Sequence, residues 1–181
     1  VILNYDKDNL KITGKGEILI KDKLDLINYE VVKKNDKFKF DTKINLKNNK
    51  LLIDFLDYKK KENSDSTILI KGNFNKNKEI KFDLISLVEK NNKIILKKLN
   101  LSENYKIKSI GSFNFDYLND KKINNQLFLK KNNTDYSIEG RNFDATKLIN
   151  QIMDNSDEDT SLSSDFNSQI KLKIEKTYID E

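Results

Sequence analysis

The chain has 181 residues, of which 36% are hydrophobic and 35% are charged, and it contains no histidine, cysteine or proline. Its longest apolar runs are two or three residues, which excludes a membrane-spanning helix. The missing histidines and cysteines exclude disulfides, Cys/His zinc sites, a cysteine nucleophile and a Ser-His-Asp triad. We expect one domain. Because the chain starts and stops inside strand-like sequence, we expect that domain to be part of a longer protein.

The formal net charge is +5, with 34 basic and 29 acidic residues. A basic surface can bind nucleic acid or anionic lipid headgroups. A composition rich in lysine and asparagine gives the same net charge without any such role. Acidic residues are interspersed with the lysines, and Arg141 is the only arginine available for bidentate base contacts. We therefore expect no nucleic-acid partner.

Apolar and polar residues alternate with a period of two through most of the chain. Successive side chains of a strand point to opposite faces, so this pattern predicts half-buried antiparallel strands with one apolar face and one polar face. In chain order, the alternating apolar positions are Phe38, Phe40, Ile44 and Leu46; Ile68 and Ile70; Ile80, Phe82 and Leu84; Ile94 and Leu96; Phe113, Phe115 and Tyr117; Leu127 and Leu129; Tyr136 and Ile138; and Ile170, Leu172 and Ile174.

Polar turn sequences separate these stretches at nearly even intervals, as at Asn48-Asn49 and Asn91-Asn92. Asn and Asp tolerate the left-handed backbone that tight hairpins need, so the spacing predicts an up-and-down meander. Its strands should be about ten residues, or roughly 33 Å, long. Gly14-Lys15-Gly16 lacks the rest of a phosphate-binding loop, and we expect a hairpin or a bulge there.

One segment changes period. Ala145, Leu148, Ile149, Ile152 and Met153 follow the i, i+3, i+4, i+7, i+8 spacing of an amphipathic helix. Asp144 is a suitable N-cap. The predicted organisation is a β segment over 1–143, a helix over 144–153, an acidic flexible linker over 154–165 and the start of a further strand segment over 166–181.

An apolar sheet face must be covered. A helix covers a stripe about 10 Å wide and strands lie about 4.8 Å apart, so one short helix shields only two or three strands. Three solutions remain open: a sheet closed into a barrel or sandwich, a groove lined for a ligand, or a sheet covered by another part of a longer chain.

Candidate catalytic and metal-binding groups are few, and we expect no catalytic residue, no metal site and no cofactor. The acidic sequence after the helix does not match an EF-hand loop. Five aspartates could suggest acid–base pairs, but most fall at polar positions or beside turns and are expected to be solvated: Asp22, Asp25, Asp54, Asp57 and Asp83.

The stretch 136–149 reads Tyr-Ser-Ile-Glu-Gly-Arg-Asn-Phe-Asp-Ala-Thr-Lys-Leu-Ile, in which a strand ends near a glycine and a helix starts at Phe-Asp-Ala. It resembles a recurring motif of the AsmA-like family of bacterial envelope proteins, particularly the long YhdP-type members related to TamB. The match is close over about fourteen residues. The alternating strands around it agree in style.

The resemblance implies a mostly β fold, in which a long antiparallel meander curls into an open, taco-like groove with one short helix. It implies a non-enzymatic segment on the periplasmic face of the envelope, anchored to the inner membrane by a segment outside this chain. The groove would hold phospholipid acyl chains during transport to the outer membrane and would adjoin further β segments of the same longer chain. The alternative is a closed, dry-core sandwich or barrel with a structural or interaction role.

Under this resemblance, twelve apolar side chains would line the groove and one helix would cap it. The predicted lining residues are Phe38, Phe40, Ile44, Leu46, Ile68, Ile70, Ile80, Phe82, Phe113, Phe115, Leu127 and Leu129. The predicted capping residues are Asp144, Leu148, Ile149 and Ile152.

Overall fold

The structure, a computed structural model, describes residues 1–6, 9–75, 79–132, 135–154 and 169–180. Most of these residues are in strands, joined by one 3-10 turn (Asp54–Leu56) and one helix. The elements are β1 (Ile2–Asp6), β2 (Asn9–Ile20), β3 (Lys23–Lys34), β4 (Lys37–Leu46), β5 (Leu51–Ile53), β6 (Tyr58–Lys60), β7 (Ser66–Asn75), β8 (Ile80–Glu89), β9 (Asn92–Leu101), β10 (Ile107–Ser109), β11 (Ser112–Leu118), β12 (Asn124–Asn132), β13 (Asp135–Asp144), α1 (Thr146–Asp154) and β14 (Ile170–Tyr178).

Twelve strands form one sheet in the order β1-β2-β3-β4-β7-β8-β9-β11-β12-β13-β14, with β10 paired to β9 beside this path. The sheet does not close on itself, and β1 and β14 are its two edges. The predicted mostly β fold with an open groove and one short helix is confirmed, and the alternative of a closed barrel is wrong. Several strands have ten or twelve residues, as the turn spacing predicts.

The last strand departs from the predicted meander. β14 pairs with β13 in parallel, whereas the other pairs are antiparallel. A parallel neighbour requires a crossover connection, and here the connection contains α1. The predicted further strand segment is thus the last strand of the same sheet, beside β13. The predicted linker lies, from residue 155 on, outside the described residues.

Strand register brings the apolar positions to one face. Directly paired residues point to the same side of a sheet, so a chain of pairs defines a row across it. One such row runs through eight strands, from β3 to β13: Ile27, Ile44, Ile68, Leu87, Ile94, Phe115, Leu127 and Gly140. We call the face that carries this row the inner face and the opposite one the outer face.

The predicted alternation is wrong at one position of β8, where the strand is irregular. The register between β7 and β8 shifts at Gly72, leaving Asp83 as an extra residue. A bulge of this kind reverses the side-chain alternation beyond it. As a result Phe82 and Ile85 both lie on the inner face, and Leu84 lies on the outer face. A strict period of two had placed Leu84 with Phe82.

The expected hairpin or bulge at Gly14 and Gly16 is not formed. Both glycines lie within β2, in unbroken register with β3. The ring of Tyr29 occupies the space above Gly14, where an added Cβ would lie 2.3 Å from Tyr29 Cζ. The missing side chain lets this tyrosine lie across the neighbouring strand.

Gly72 is required for close packing at the bulge, and we expect Gly72→Ala to lower the free energy of unfolding by about 1–3 kcal/mol. A Cβ at this position would lie 2.3 Å from the backbone oxygen of Lys81, which cannot rotate away. Gly16→Ala is the matched control, because nothing lies within 4 Å of its added Cβ. Urea unfolding of both variants measures the difference. Equal effects would contradict this account.

Candidate functional site

The candidate site is the inner face, and the twelve predicted lining residues all lie on it by register. They do not share one environment. Four are buried: Leu46, Phe115, Leu127 and Leu129. The other eight are only half-buried. The plug covers one end of the inner face. At the other end, which we call the uncovered end, the side formed by β4, β7 and β8 is only half-buried, whereas Leu129 and Tyr136 on β12 and β13 are buried. Contact of the lining with lipid stays a prediction.

Two elements cover one end of the inner face, and together we call them the plug. The first is the hairpin of β5 and β6 with its 3-10 turn, and the second is α1. From the hairpin, Leu56 and Tyr58 pack into one core cluster with Phe115 and Leu127 of the sheet. Phe143, Ala145, Leu148 and Ile149 join this cluster from the start of the helix.

The helix is capped as its sequence predicts. Asp144 Oδ1 accepts hydrogen bonds from the Thr146 backbone nitrogen (3.1 Å) and from Thr146 Oγ1 (2.6 Å). Its other oxygen accepts from Asn119 Nδ2 (3.0 Å) and lies 3.3 Å from Lys121 Nζ. Burial opposes ionisation of Asp144, but the bonds from Thr146 and the charge of Lys121 outweigh it and lower its pKa. Of the predicted capping residues, Ile152 has a side chain outside the described part of the structure.

The hairpin of the plug was not predicted. Its sequence lies between two turn clusters, and its strands are three residues each, too short to show a period. The sequence does hold a signal for this hairpin. The segments Leu51-Leu52-Ile53 and Phe55-Leu56 are more apolar than a surface loop requires. Asp57 ends the 3-10 turn in the left-handed conformation, with φ of 50°.

Tyr58 of the plug and Glu89 of β8 form a buried polar contact between the plug and the sheet. Tyr58 is 0% exposed and its hydroxyl donates a 2.6 Å hydrogen bond to Glu89 Oε2. Ser64 Oγ donates to the other carboxylate oxygen. Burial opposes ionisation of Glu89, but these donors outweigh it and lower its pKa. Burial, together with the hydrogen bond to Glu89, raises the pKa of the Tyr58 hydroxyl.

Asp25 holds the beginning of the plug hairpin to β3. This aspartate is 3% exposed, and its Oδ1 accepts from the backbone nitrogens of Lys47 and Asn48, both at 2.8 Å. Its Oδ2 accepts from Asn49 Nδ2 at 2.8 Å. Burial opposes ionisation, and the hydrogen bonds outweigh it and lower the pKa of Asp25. The expectation of a solvated Asp25 is wrong, whereas Asp22, Asp54 and Asp83 are exposed as expected.

Lys60 closes the hairpin from its other strand. Its ammonium is fully buried and donates to the backbone oxygens of Lys47 (2.9 Å), Asn49 (2.7 Å) and Lys61 (3.0 Å). Burial lowers the pKa of Lys60. A buried cation is tolerated when its protons are all accepted, and three carbonyl oxygens meet the three donors of an ammonium group.

Aromatic rings line the uncovered end. Phe38 stacks on Phe74 with centroids 4.8 Å apart, and Phe40 meets Phe82 edge-on at 5.8 Å. All four rings are only half-buried. The sequence analysis missed Phe74, because Gly72 interrupts the apolar alternation after Ile70. Phe74 nevertheless lies on the same face of β7 as Ile70.

The inner face is also open at both edges of the sheet. On β1, Leu3 is 62% exposed, and on β14, Leu172 is 66% exposed. By register both side chains belong to the inner face. The outer face carries a concavity of about 820 Å³ between β11 and β14, lined mostly by polar and charged side chains such as Asp116, Glu139 and Arg141.

The inner face presents mostly apolar side chains. In the described ranges, no group of three or more acidic side chains is placed to hold a metal ion. Nor does any helix in those ranges have the length and apolar character to cross a membrane. Comparison of the chain with models of protein families, with curated proteins and with solved structures found no match.

Proposed function

We propose that the inner face is a binding groove for the acyl chains of phospholipids and has no catalytic role. The observation that carries this proposal is the partial cover of one continuous apolar face. The plug shields its covered end, while Phe38, Phe40, Phe74 and Phe82 stay half-exposed at the other. Exposed contiguous apolar surface of this kind typically marks a binding site.

The energetics favour a flexible apolar ligand. Burial of apolar surface contributes about 25 cal/mol per Å², or about 0.8 kcal/mol for each methylene group. A fatty acyl chain lying along the inner face would bury surface on both partners without needing directional contacts. Ile44 and Ile70 continue the aromatic end toward the plug, so the apolar surface runs along the strands as well as across them.

The wider role we propose is a segment of an envelope protein that supports lipid transport to the outer membrane. It rests on the AsmA-like resemblance of stretch 136–149 together with the open shape of the sheet. The two edges support continuation of the groove, because within the described residues β1 and β14 each pair on one side only and carry exposed inner-face residues. Adjoining β segments of a longer chain are the proposed neighbours at these edges.

Phe82→Asp is expected to reduce bound phospholipid about tenfold, since a carboxylate at the uncovered end would have to be desolvated beside each acyl chain. The measurement is native mass spectrometry of the purified chain, with the extracted lipid quantified. Phe38→Asp, near a strand end, is a second variant in case Phe82→Asp folds poorly.

Phe128→Asp is the matched control for this experiment. Phe128 is 45% exposed and lies on the outer face of β12, opposite Asn114. It should bind as much lipid as the unmodified chain. A chain that binds no lipid, or inner-face variants that bind as much as the control, would refute the groove. Phe115→Asp is unsuitable for this purpose, because Phe115 lies in the core cluster under the plug.

A further inference from the structure

Two lysines interrupt the apolar rows of the inner face at its uncovered end. Lys33 lies near the end of β3 and pairs in register with Phe38. Lys131 lies near the end of β12 and pairs with Tyr136. Both strands run from the covered end, where Asp25 and Asn125 are buried, toward the uncovered end. The two ammonium groups are therefore placed at the mouth of the proposed groove.

Each lysine lies over the ring that faces it. Lys33 Nζ is 5.8 Å from the centroid of Phe38, and Lys131 Nζ is 5.8 Å from the centroid of Tyr136. This geometry lays the aliphatic stem along apolar surface and leaves the charge at the rim. The same arrangement on two walls of the groove gives the mouth a positive character.

The carboxylates of the inner face are at the opposite end. Asp25 and Glu89 belong to inner-face rows, but both are buried beneath the plug and accept hydrogen bonds there. Among the paired inner-face positions that the structure describes in the uncovered half, none is Asp or Glu. The described carboxylates of the inner face are thus buried at the plug, where Lys23 and the buried ammonium of Lys60 also lie. At the mouth, the described inner face carries the cations of Lys33 and Lys131 and no carboxylate.

We propose that the mouth of the groove selects phospholipids whose headgroup carries a net negative charge, with Lys33 and Lys131 as the headgroup contacts. This inference rests on the proposed function of the groove. Lys33 and Lys131 are separated by six strand spacings, or about 29 Å along the sheet. A groove of that width takes several acyl chains side by side, which fits two-chain phospholipids better than single fatty acids.

The test offers the delipidated chain an equimolar mixture of dioleoyl phosphatidylglycerol and dioleoyl phosphatidylcholine, which differ in headgroup charge but share acyl chains. Bound lipid is extracted and quantified by mass spectrometry. We expect phosphatidylglycerol to be enriched about three- to tenfold at low salt, and less at high salt because exposed charges are screened. In Lys33→Gln/Lys131→Gln the ratio should fall toward one while total bound lipid is retained.

Lys39→Gln/Lys130→Gln is the matched control, since it removes the same charge from the outer face and should keep the enrichment. Binding of neither lipid would refute the groove itself. Lipid binding without enrichment, or equal loss of enrichment in both double variants, would overturn the headgroup proposal alone. Displacement of phosphatidylglycerol by an equal concentration of oleate would overturn the choice of a phospholipid.

Discussion

Replacing Tyr58 with alanine is expected to lower the free energy of unfolding by about 3–5 kcal/mol, the range for truncating a fully buried aromatic side chain. Tyr58 anchors the plug, and its ring packs edge-on against Tyr117 with centroids 5.8 Å apart. Truncation would leave a cavity in the core cluster and remove a donor from buried Glu89. Urea unfolding followed by circular dichroism measures the loss. Increased binding of an apolar dye would report exposure of Phe115 and Leu127.

Tyr58→Phe separates the ring from the hydroxyl. It keeps the packing against Tyr117 and removes only the hydrogen bond to Glu89, so it should cost about 1–3 kcal/mol, the penalty for an incompletely satisfied buried group. Leu52→Ala is a control on the same hairpin, because Leu52 is exposed. If Tyr58→Ala and Leu52→Ala had the same small effect, the hairpin would not be a packed part of the fold.

Acid is expected to loosen the plug. Asp25, Glu89 and Asp144 all have a pKa below the ordinary values of 3.8, 4.5 and 3.8. A carboxyl group with a lowered folded-state pKa contributes stability at pH values above its unfolded-state pKa. It loses that contribution as pH falls through the folded-state value. The contribution of these three groups to the free energy of unfolding should therefore be level above pH 4.5 and should decrease steadily below it.

Glu89→Gln tests the contribution of one of these groups. The variant should be less stable at neutral pH, because the charge-assisted bonds from Tyr58 and Ser64 weaken, and its stability should change less between neutral and acidic pH. Each unit of pKa lowering corresponds to about 1.4 kcal/mol. Urea unfolding across the pH range is the measurement, with Glu103→Gln in an exposed turn as control. An unchanged pH dependence in Glu89→Gln would show that Glu89 carries none of the acid sensitivity.

The hairpin of the plug was beyond sequence analysis for a physical reason. Its two strands are three residues each, and its stability comes from contacts far away in the chain, such as Tyr58 with Glu89 and Tyr117 hydroxyl with the Leu56 backbone oxygen (2.7 Å). Local periodicity carries no trace of such contacts. The burial of Asp25 and Lys60 was equally hidden, because each is a polar residue whose partners come from another segment.

The sequence alone determined the local features of this protein: the long alternating strands, the single inner face that collects its apolar side chains, the turns between strands and the Asp144 cap of α1. These follow from side-chain alternation, left-handed turn residues and capping, which act over a few neighbouring residues. Tertiary structure decided the parallel placement of β14, the bulge at Asp83 and the division of the inner face into covered and uncovered ends. Those features depend on contacts between residues distant in the chain, and a pattern with a period of two holds no information about them.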